Sequence, residues 1–214
     1  VVFTNSNAVV TANYKGHLIS NSTSGLSSNS QRKVVRTDDG KLHLVYESMN
    51  QVWYTYSTDG GSTWLQEQKV DYLGANCKSA SIAQSNDGLN KIYVVYQRDA
   101  VAADNYPKII LTEFQNGSRT LYTDVYTLSS YSYDSKPVTA ALNNTACVIF
   151  KPSSTSALSE KNFYYSGSWS AHSDFQVNNT TSSSSNPSIA SDVQKYFLAY
   201  QNGTTEIKYL EFFR

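Results

Sequence analysis

The sequence predicts an all-β domain built from four tandem units of antiparallel strands. Three observations carry this prediction. Short apolar or small-residue segments recur in the same order along the chain. The second segment of every unit ends in an aromatic residue. An alternating segment, Val52-Trp53-Tyr54-Thr55-Tyr56, runs into a glycine pair flanked by Ser, Thr and Asp, the pattern of a strand entering a tight hairpin.

The units can be taken in order. Their first strands are rich in small or β-branched residues: Lys33-Val34-Val35, Ser79 to Ala83, Lys136 to Ala140 and Asn186 to Ala190. Turns follow at Asp38-Asp39-Gly40, Asn86-Asp87-Gly88, Asn143-Asn144 and Asp192-Val193-Gln194. The second strands repeat most clearly: Leu42 to Tyr46, Ile92 to Tyr96, Ala146 to Phe150 and Tyr196 to Tyr200. Third strands are expected over Val52 to Tyr56, Ile109 to Phe114, Phe163 to Tyr165 and Ile207 to Phe212. Fourth strands follow in three units, near Leu65–Val70, Thr120–Thr127 and Ser170–Val177.

Four antiparallel strands repeating every roughly 45–55 residues make a β-propeller blade. The near absence of Pro inside these segments agrees, and small first-strand residues suit strands that crowd around an axis. The expectation is a propeller-like array of about four to five four-stranded blades. Residues 1–30 are a closing strand and loop, 31–77 the first repeat, 78–135 the second, 136–185 the third and 186–214 an incomplete fourth. The fourth unit has no outer strand of its own, and Ala8 to Thr11 or His17 to Ile19 is expected to pair with Ile207 to Phe212 and cover that edge.

The turn of the first repeat, Ser57-Thr58-Asp59-Gly60-Gly61-Ser62-Thr63-Trp64, explains itself residue by residue. The glycines tolerate positive φ, Asp59 and the hydroxyls can bond the turn's own amides, and Trp64 closes an apolar cluster beneath. Ser57, Asp59, Gly61, Thr63 and Trp64 match the pattern S-x-D-x-G-x-T-W. The octet therefore resembles the Asp-box of sialidase-like, BNR-type β-propellers. The resemblance implies a structural hairpin on the face away from any ligand, so Asp59 is not read as catalytic. Tyr165-Ser166-Gly167-Ser168-Trp169 and Gln115-Asn116-Gly117-Ser118 are eroded versions. Sialidase-type enzymes have six blades, which leaves a small ring, a fragment of a larger glycoside hydrolase, or an open array completed by another chain.

Charge and composition narrow the function. Seventeen basic and seventeen acidic residues balance to zero, which argues against a nucleic-acid binder, since that would need a basic face, and against a polybasic membrane-surface protein. No apolar run approaches the roughly 20 residues of a membrane-spanning helix. Abundant Tyr, Ser, Thr and Asn suit an extracellular or secreted surface, with a cytosolic protein left open. Cys77 and Cys147 fit no metal spacing; they are a disulfide or, as the repeat register favours, two separate thiols.

Catalytic chemistry finds little support. A sialidase-like site needs three converging arginines to pair a carboxylate together with a Tyr-Glu nucleophile pair and a proton donor. Arg32, Arg36, Arg98, Arg119 and Arg214 fall in positions that do not assemble one. His17, His43 and His172 lie in separate units without clustered carboxylates or cysteines. No catalytic residue, cofactor or metal is expected. The remaining reading is a recognition or assembly module that binds a glycan or a protein partner through the face opposite the octet. Glu47, Arg98, Asp99, Tyr106, Tyr131, Tyr133 and Lys151 are its candidate ligand-binding residues, with Asn50, Asp71, Tyr72, Asp104, Asp134 and Lys136 in the same loops. Aromatic faces beside polar groups suit sugars. The chain is expected to be a monomer or a strand-exchanged oligomer.

Overall fold

The computed structural model describes residues 32–102, 105–129 and 133–213. Among these it holds sixteen strands and no helix, arranged as four antiparallel sheets. The first sheet is β1 (Val34–Arg36), β2 (Leu42–Ser48), β3 (Gln51–Ser57) and β4 (Gln68–Lys69), paired in that order. The second is β5 (Cys77–Gln84), β6 (Ile92–Arg98), β7 (Lys108–Gln115) and β8 (Ser118–Thr127). The third is β9 (Val138–Leu142), β10 (Thr145–Phe150) and β11 (Ser159–Tyr165), with β12 (Trp169–Ala171) and β13 (Phe175–Gln176) both paired to β11. The fourth is β14 (Ser184–Ser191), β15 (Lys195–Asn202) and β16 (Glu206–Phe213).

Each sheet is one meander, and strand contacts run from the first sheet to the second, the second to the third and the third to the fourth. This is the blade succession of a propeller, as the repeats predict. Two outer strands differ from expectation. The first blade's shrinks to β4, because Leu65 already bonds back to Tyr56 and the chain between turns away. The third blade's segment breaks into β12 and β13. The fourth blade has no outer strand among the described residues, and the expected closing segment within residues 1–19 lies outside them, as do Asp104, Tyr131, His17 and Arg214.

Side chains alternate across a strand, so every second strand presents one row to the preceding blade and one to the next. In β6, Ile92, Val94 and Tyr96 pack into a cluster with Val45, Val52 and Tyr54 of the first blade. Tyr93 and Val95 look the other way, onto Ala146, Val148 and Phe150 of the third. Cys147 and Ile149 then meet Tyr196, Leu198 and Tyr200 of the fourth. The whole of β6 is buried. Each large apolar side chain removed from water in this way contributes about 1.5–3 kcal/mol, which makes blade-to-blade packing the main source of stability. Neither cysteine is in a disulfide; each is buried in a different cluster.

Polar clamps follow the same register. The residue after each second-strand aromatic reaches into the next blade. Glu47 accepts the amide of Ala80 at 3.2 Å, while Lys33, 3.5 Å from the same carboxylate oxygen, donates to the Ala80 carbonyl. Gln97 donates to the carbonyl of Tyr133 at 2.7 Å and accepts the amide of Ser135 at 2.9 Å. Lys151 donates to the carbonyls of Ser182 and Ser184 at 2.6 and 2.9 Å. These bonds satisfy backbone groups where first strands enter the crowded axis. Entry itself is irregular: Ser79, Lys136 and Asn186 hold equivalent places with φ of 57°, 46° and 46°, and the β5–β6 and β14–β15 registers shift beside Ser79 and Asn186.

The octet between β3 and β4 is bonded almost wholly to itself. Asp59 accepts from the Thr63 hydroxyl at 2.6 Å, the Thr63 amide at 2.8 Å and the Ser57 hydroxyl at 2.8 Å. Ser57 Oγ in turn accepts the amide of Gly61 at 2.8 Å. Gly61, at φ +95°, sits between Leu42 and Trp64, where a side chain would be strained.

Two outcomes are expected. Thr63 and Ser57 hold the Asp59 carboxyl at about 2, below its ordinary 3.8. Its contribution is present in full above the unfolded value and is lost as pH falls towards the folded one. Asp59→Ala should lower the thermal midpoint at neutral pH, and its difference from the unaltered protein should narrow as pH falls from about 4 through about 2. An equal difference at both pH values would contradict this. Gln97 is fully buried, so Gln97→Ala strands an amide and a carbonyl and should cost about 2 kcal/mol or more in urea denaturation.

Candidate functional site

The ends of second and fourth strands share the face opposite the octet. At the junction of the first two blades this face is built around Asp71, which is fully buried. Its carboxylate accepts the hydroxyls of Tyr96 at 2.9 Å and Tyr122 at 2.8 Å, and the amide of Leu73 at 2.7 Å. Burial first, then the Asp71 charge, pushes the Tyr96 hydroxyl well above its ordinary range; burial and the Asp71 bond do the same for Tyr122. Both therefore stay protonated as donors. Arg98, 1% exposed, donates to Tyr122 at 2.9 Å. Over this buried network Tyr72, 60% exposed, lies against Tyr122 with centroids 4.5 Å apart. The Arg119 guanidinium stands 4.9 Å from the Tyr72 centroid and donates to the Val70 carbonyl.

Near the axis of the third and fourth blades, Tyr133, Asp134, Lys136, Lys151, Asn186 and Pro187 surround a cleft of about 90 Å³. Burial, then Asp134, pushes the Tyr133 hydroxyl up to about 12, and burial lowers the Lys151 ammonium. Asp134 accepts the hydroxyl of Ser79 from the second blade at 2.7 Å.

The structure thus brings Tyr133 and Lys151 together and sets the other candidates apart. Glu47 and Arg98 are buried at the first junction. Asp99 is half-buried and its amide bonds Asn76. Tyr106 is exposed on the loop before β7, and Tyr131 lies outside the described residues. Of the described arginines, Arg32 lines a cleft with Gln84, Asn86 and Ser191, Arg36 is exposed at the end of β1, Arg98 meets the Tyr122 hydroxyl, and Arg119 stands 5.7 Å from the centroid of the Tyr122 ring. Among the described residues no cluster of three or more His, Cys, Asp or Glu could hold a metal, and no helix is long and apolar enough to cross a membrane.

A further concavity does not follow from the sequence-based candidates. A groove of about 490 Å³ runs along the outer part of the junction between the third and fourth blades. Glu160, Phe175, Gln176, Asn178, Asn179 and Phe212 line it. It exists because the third blade's outer segment breaks between β12 and β13, leaving Phe175 partly exposed. The run Phe175-Gln176-Val177-Asn178-Asn179, a ring followed by amides, was the available signal.

On the octet's face, Asp39, Lys41, His43, Tyr56, Asn90 and Asn116 surround a cleft of about 260 Å³. The His43 ring lies 2.8 Å from the Tyr54 hydroxyl through Nδ1 and 3.2 Å from the Thr37 hydroxyl through Nε2. Gly117 closes one side at φ +77°, where a Cβ would meet the Tyr56 ring at 2.9 Å.

A fungal fucose lectin from Aleuria aurantia, described as a six-bladed β-propeller, superposes with a TM-score of 0.53 at 14% identity, over 84% of this chain and 56% of the lectin. The NanB sialidase of Streptococcus pneumoniae gives 0.54 at 11% identity, over 83% of this chain and 30% of the enzyme. A family PL25 ulvan lyase gives 0.50 at 8%, over 84% and 51%. The chain thus spans about half the length of the lectin and lyase and less of the sialidase. No protein-family model and no curated protein sequence matches. At such identities the likeness is one of fold, and the class is plain: an all-β, propeller-type domain.

Burial holds His43 at about 4, below its ordinary 6.5, with Asp39 opposing and Lys41 assisting. A depressed histidine favours the unfolded state once that state binds the proton. Stability should therefore fall as pH drops from about 6.5 towards 4 and then level off as regards this group. His43→Gln should remove that part of the acid slope, read from urea midpoints across the range. An unchanged slope would contradict it.

Proposed function

We propose that this domain is a non-catalytic glycan-recognition module acting outside the cell. The observation that carries the reading is the rim groove. Its volume, about 490 Å³, lies in the range of roughly 300–1,000 Å³ usual for small-molecule sites. Phe175 offers a ring for the apolar face of a sugar, while Gln176, Asn178 and Asn179 supply donors and acceptors for hydroxyls. The propellers of similar fold include a lectin with a fucose recognition mode and a sialidase, which supports carbohydrate as the ligand class. The resemblance of the Ser57–Trp64 octet to the Asp-box supports the propeller architecture on which this reading rests.

The axial cleft holding Tyr133 and Lys151 provides a second, smaller contact point, and Tyr106 extends that face. Glu47 and Arg98 serve it by fixing the blades that carry the loops. A hydrolytic role within a larger sialidase-like enzyme is less well supported, because the described arginines do not converge on one point.

Binding should be detected on a glycan array and measured by calorimetry. Phe175→Ala should weaken it about tenfold or more, as removal of an anchoring ring does, while folded Asp59→Ala protein should bind unchanged. A fluorogenic sialoside should not be turned over. Absence of any sugar ligand, or binding indifferent to Phe175→Ala and Asn178→Ala, would overturn the proposal.

A further inference from the structure

The network around Asp71 ends in an exposed surface that neither the rim groove nor the axial cleft uses. Asp71 is fully buried, and its carboxylate accepts the Tyr96 and Tyr122 hydroxyls together with the amide of Leu73. The last of these bonds closes an Asx turn with Tyr72 at its centre. The residue before Asp71 is tied as well. The Val70 amide donates to the Val52 carbonyl at 2.9 Å, and the Val70 carbonyl accepts from Arg119 at 2.9 Å. Tyr72 is therefore held through its chain neighbours on both sides, yet it is 60% exposed.

Val70, Leu128 and Val177 hold equivalent places. Each donates its amide to a residue at or just before the start of its blade's third strand: Val52, Pro107 and Leu158. The two residues after Val177, Asn178 and Asn179, line the rim groove, and Tyr200 donates to the Asn179 carbonyl as Tyr96 donates to Asp71. Asp71 and Tyr72 thus occupy, between the first and second blades, the place that the groove's amides occupy between the third and fourth.

Two side chains of β8 stand beside Tyr72. The Tyr122 ring lies 4.5 Å from it, centroid to centroid, with the planes tilted by 60°. The Arg119 guanidinium is 4.9 Å from the Tyr72 centroid and 5.7 Å from that of Tyr122. Among the described residues Arg119 makes one hydrogen bond, to Val70, and no carboxylate pairs it; the Tyr72 hydroxyl has no partner there. An aromatic face and a fork of N–H donors are thus fixed side by side before any ligand arrives.

On the footing that the domain is a glycan-recognition module, we propose that Tyr72 and Arg119 form a second saccharide site, selective for an acidic sugar residue. The CH face of the sugar lies on the Tyr72 ring, and its carboxylate or sulfate oxygens accept the remaining N–H groups of Arg119. A neutral sugar is a poor occupant, because it strips water from the guanidinium without supplying a countercharge.

A glycan array carrying uronate-bearing and sulfated oligosaccharides beside their neutral counterparts tests this, followed by calorimetry on the best acidic member. Acidic members should bind in preference to the neutral ones, and their affinity should fall as salt is raised. Tyr72→Ala and Arg119→Gln should each weaken binding about tenfold or more, and Arg119→Lys should keep part of it. Both side chains are exposed, so the far-ultraviolet dichroism spectrum should not change. Absence of acidic-sugar binding, or binding that Tyr72→Ala and Arg119→Gln leave intact, overturns the inference. Sugar binding that Phe175→Ala abolishes and Tyr72→Ala spares overturns it too, while leaving the rim groove in place; the opposite pattern supports it and tells against the groove. A polyglutamate peptide bound as tightly as the saccharide would also overturn it and assign this surface to a protein partner.

Discussion

Burial of both faces of each interior sheet is the constraint on which the rest of this structure depends. A blade has no core of its own; its apolar atoms leave water only when another sheet lies on each side. This is why β6, with a blade before and after it, is buried from Ile92 to Arg98, and why its sequence lacks the apolar-polar alternation of a half-exposed strand. The clamps at Glu47, Gln97 and Lys151 are a consequence. Sheets that converge on an axis leave backbone groups at strand entry without ladder partners, and a polar side chain from the preceding blade satisfies them.

The octet is organised on a different principle. Its bonds connect residues at most four positions apart, so it is specified locally and folds with little help from the rest of the chain. The face it occupies also holds the bridge made by Asn86, which accepts the amide of Asn143 and donates to the carbonyl of Asp192, linking second, third and fourth blades. That side of the domain is tied by short polar turns. The opposite side carries longer loops and the network that joins Asp71 to Tyr96 and Tyr122.

These differences explain what could be read in the sequence. The strand order within each sheet and the octet's hairpin follow from local spacing, and both were legible. The break between β12 and β13 was not, because Ser170 to Val177 has acceptable strand character throughout and only pairing with β11 reveals the gap. The candidate residues Glu47, Arg98 and Lys151 stand where loops begin, a position that suits either a ligand or a neighbouring blade. Their side chains turn inward because each has a partner far along the chain: Ala80 for Glu47, Tyr122 for Arg98, Ser182 for Lys151. Sequence distance of that kind leaves no local pattern.

The two cysteines make blade separation observable. Cys77 sits in the cluster joining the first and second blades and Cys147 in the one joining the third and fourth. Burial pushes the Cys77 thiol well above its ordinary range, so it reacts as a thiolate only after its surroundings open. A slow alkylating reagent thus finds two internal clocks, one per junction. Peptide-resolved labelling times would show whether the array comes apart from one end or opens all at once, without adding any probe to the protein.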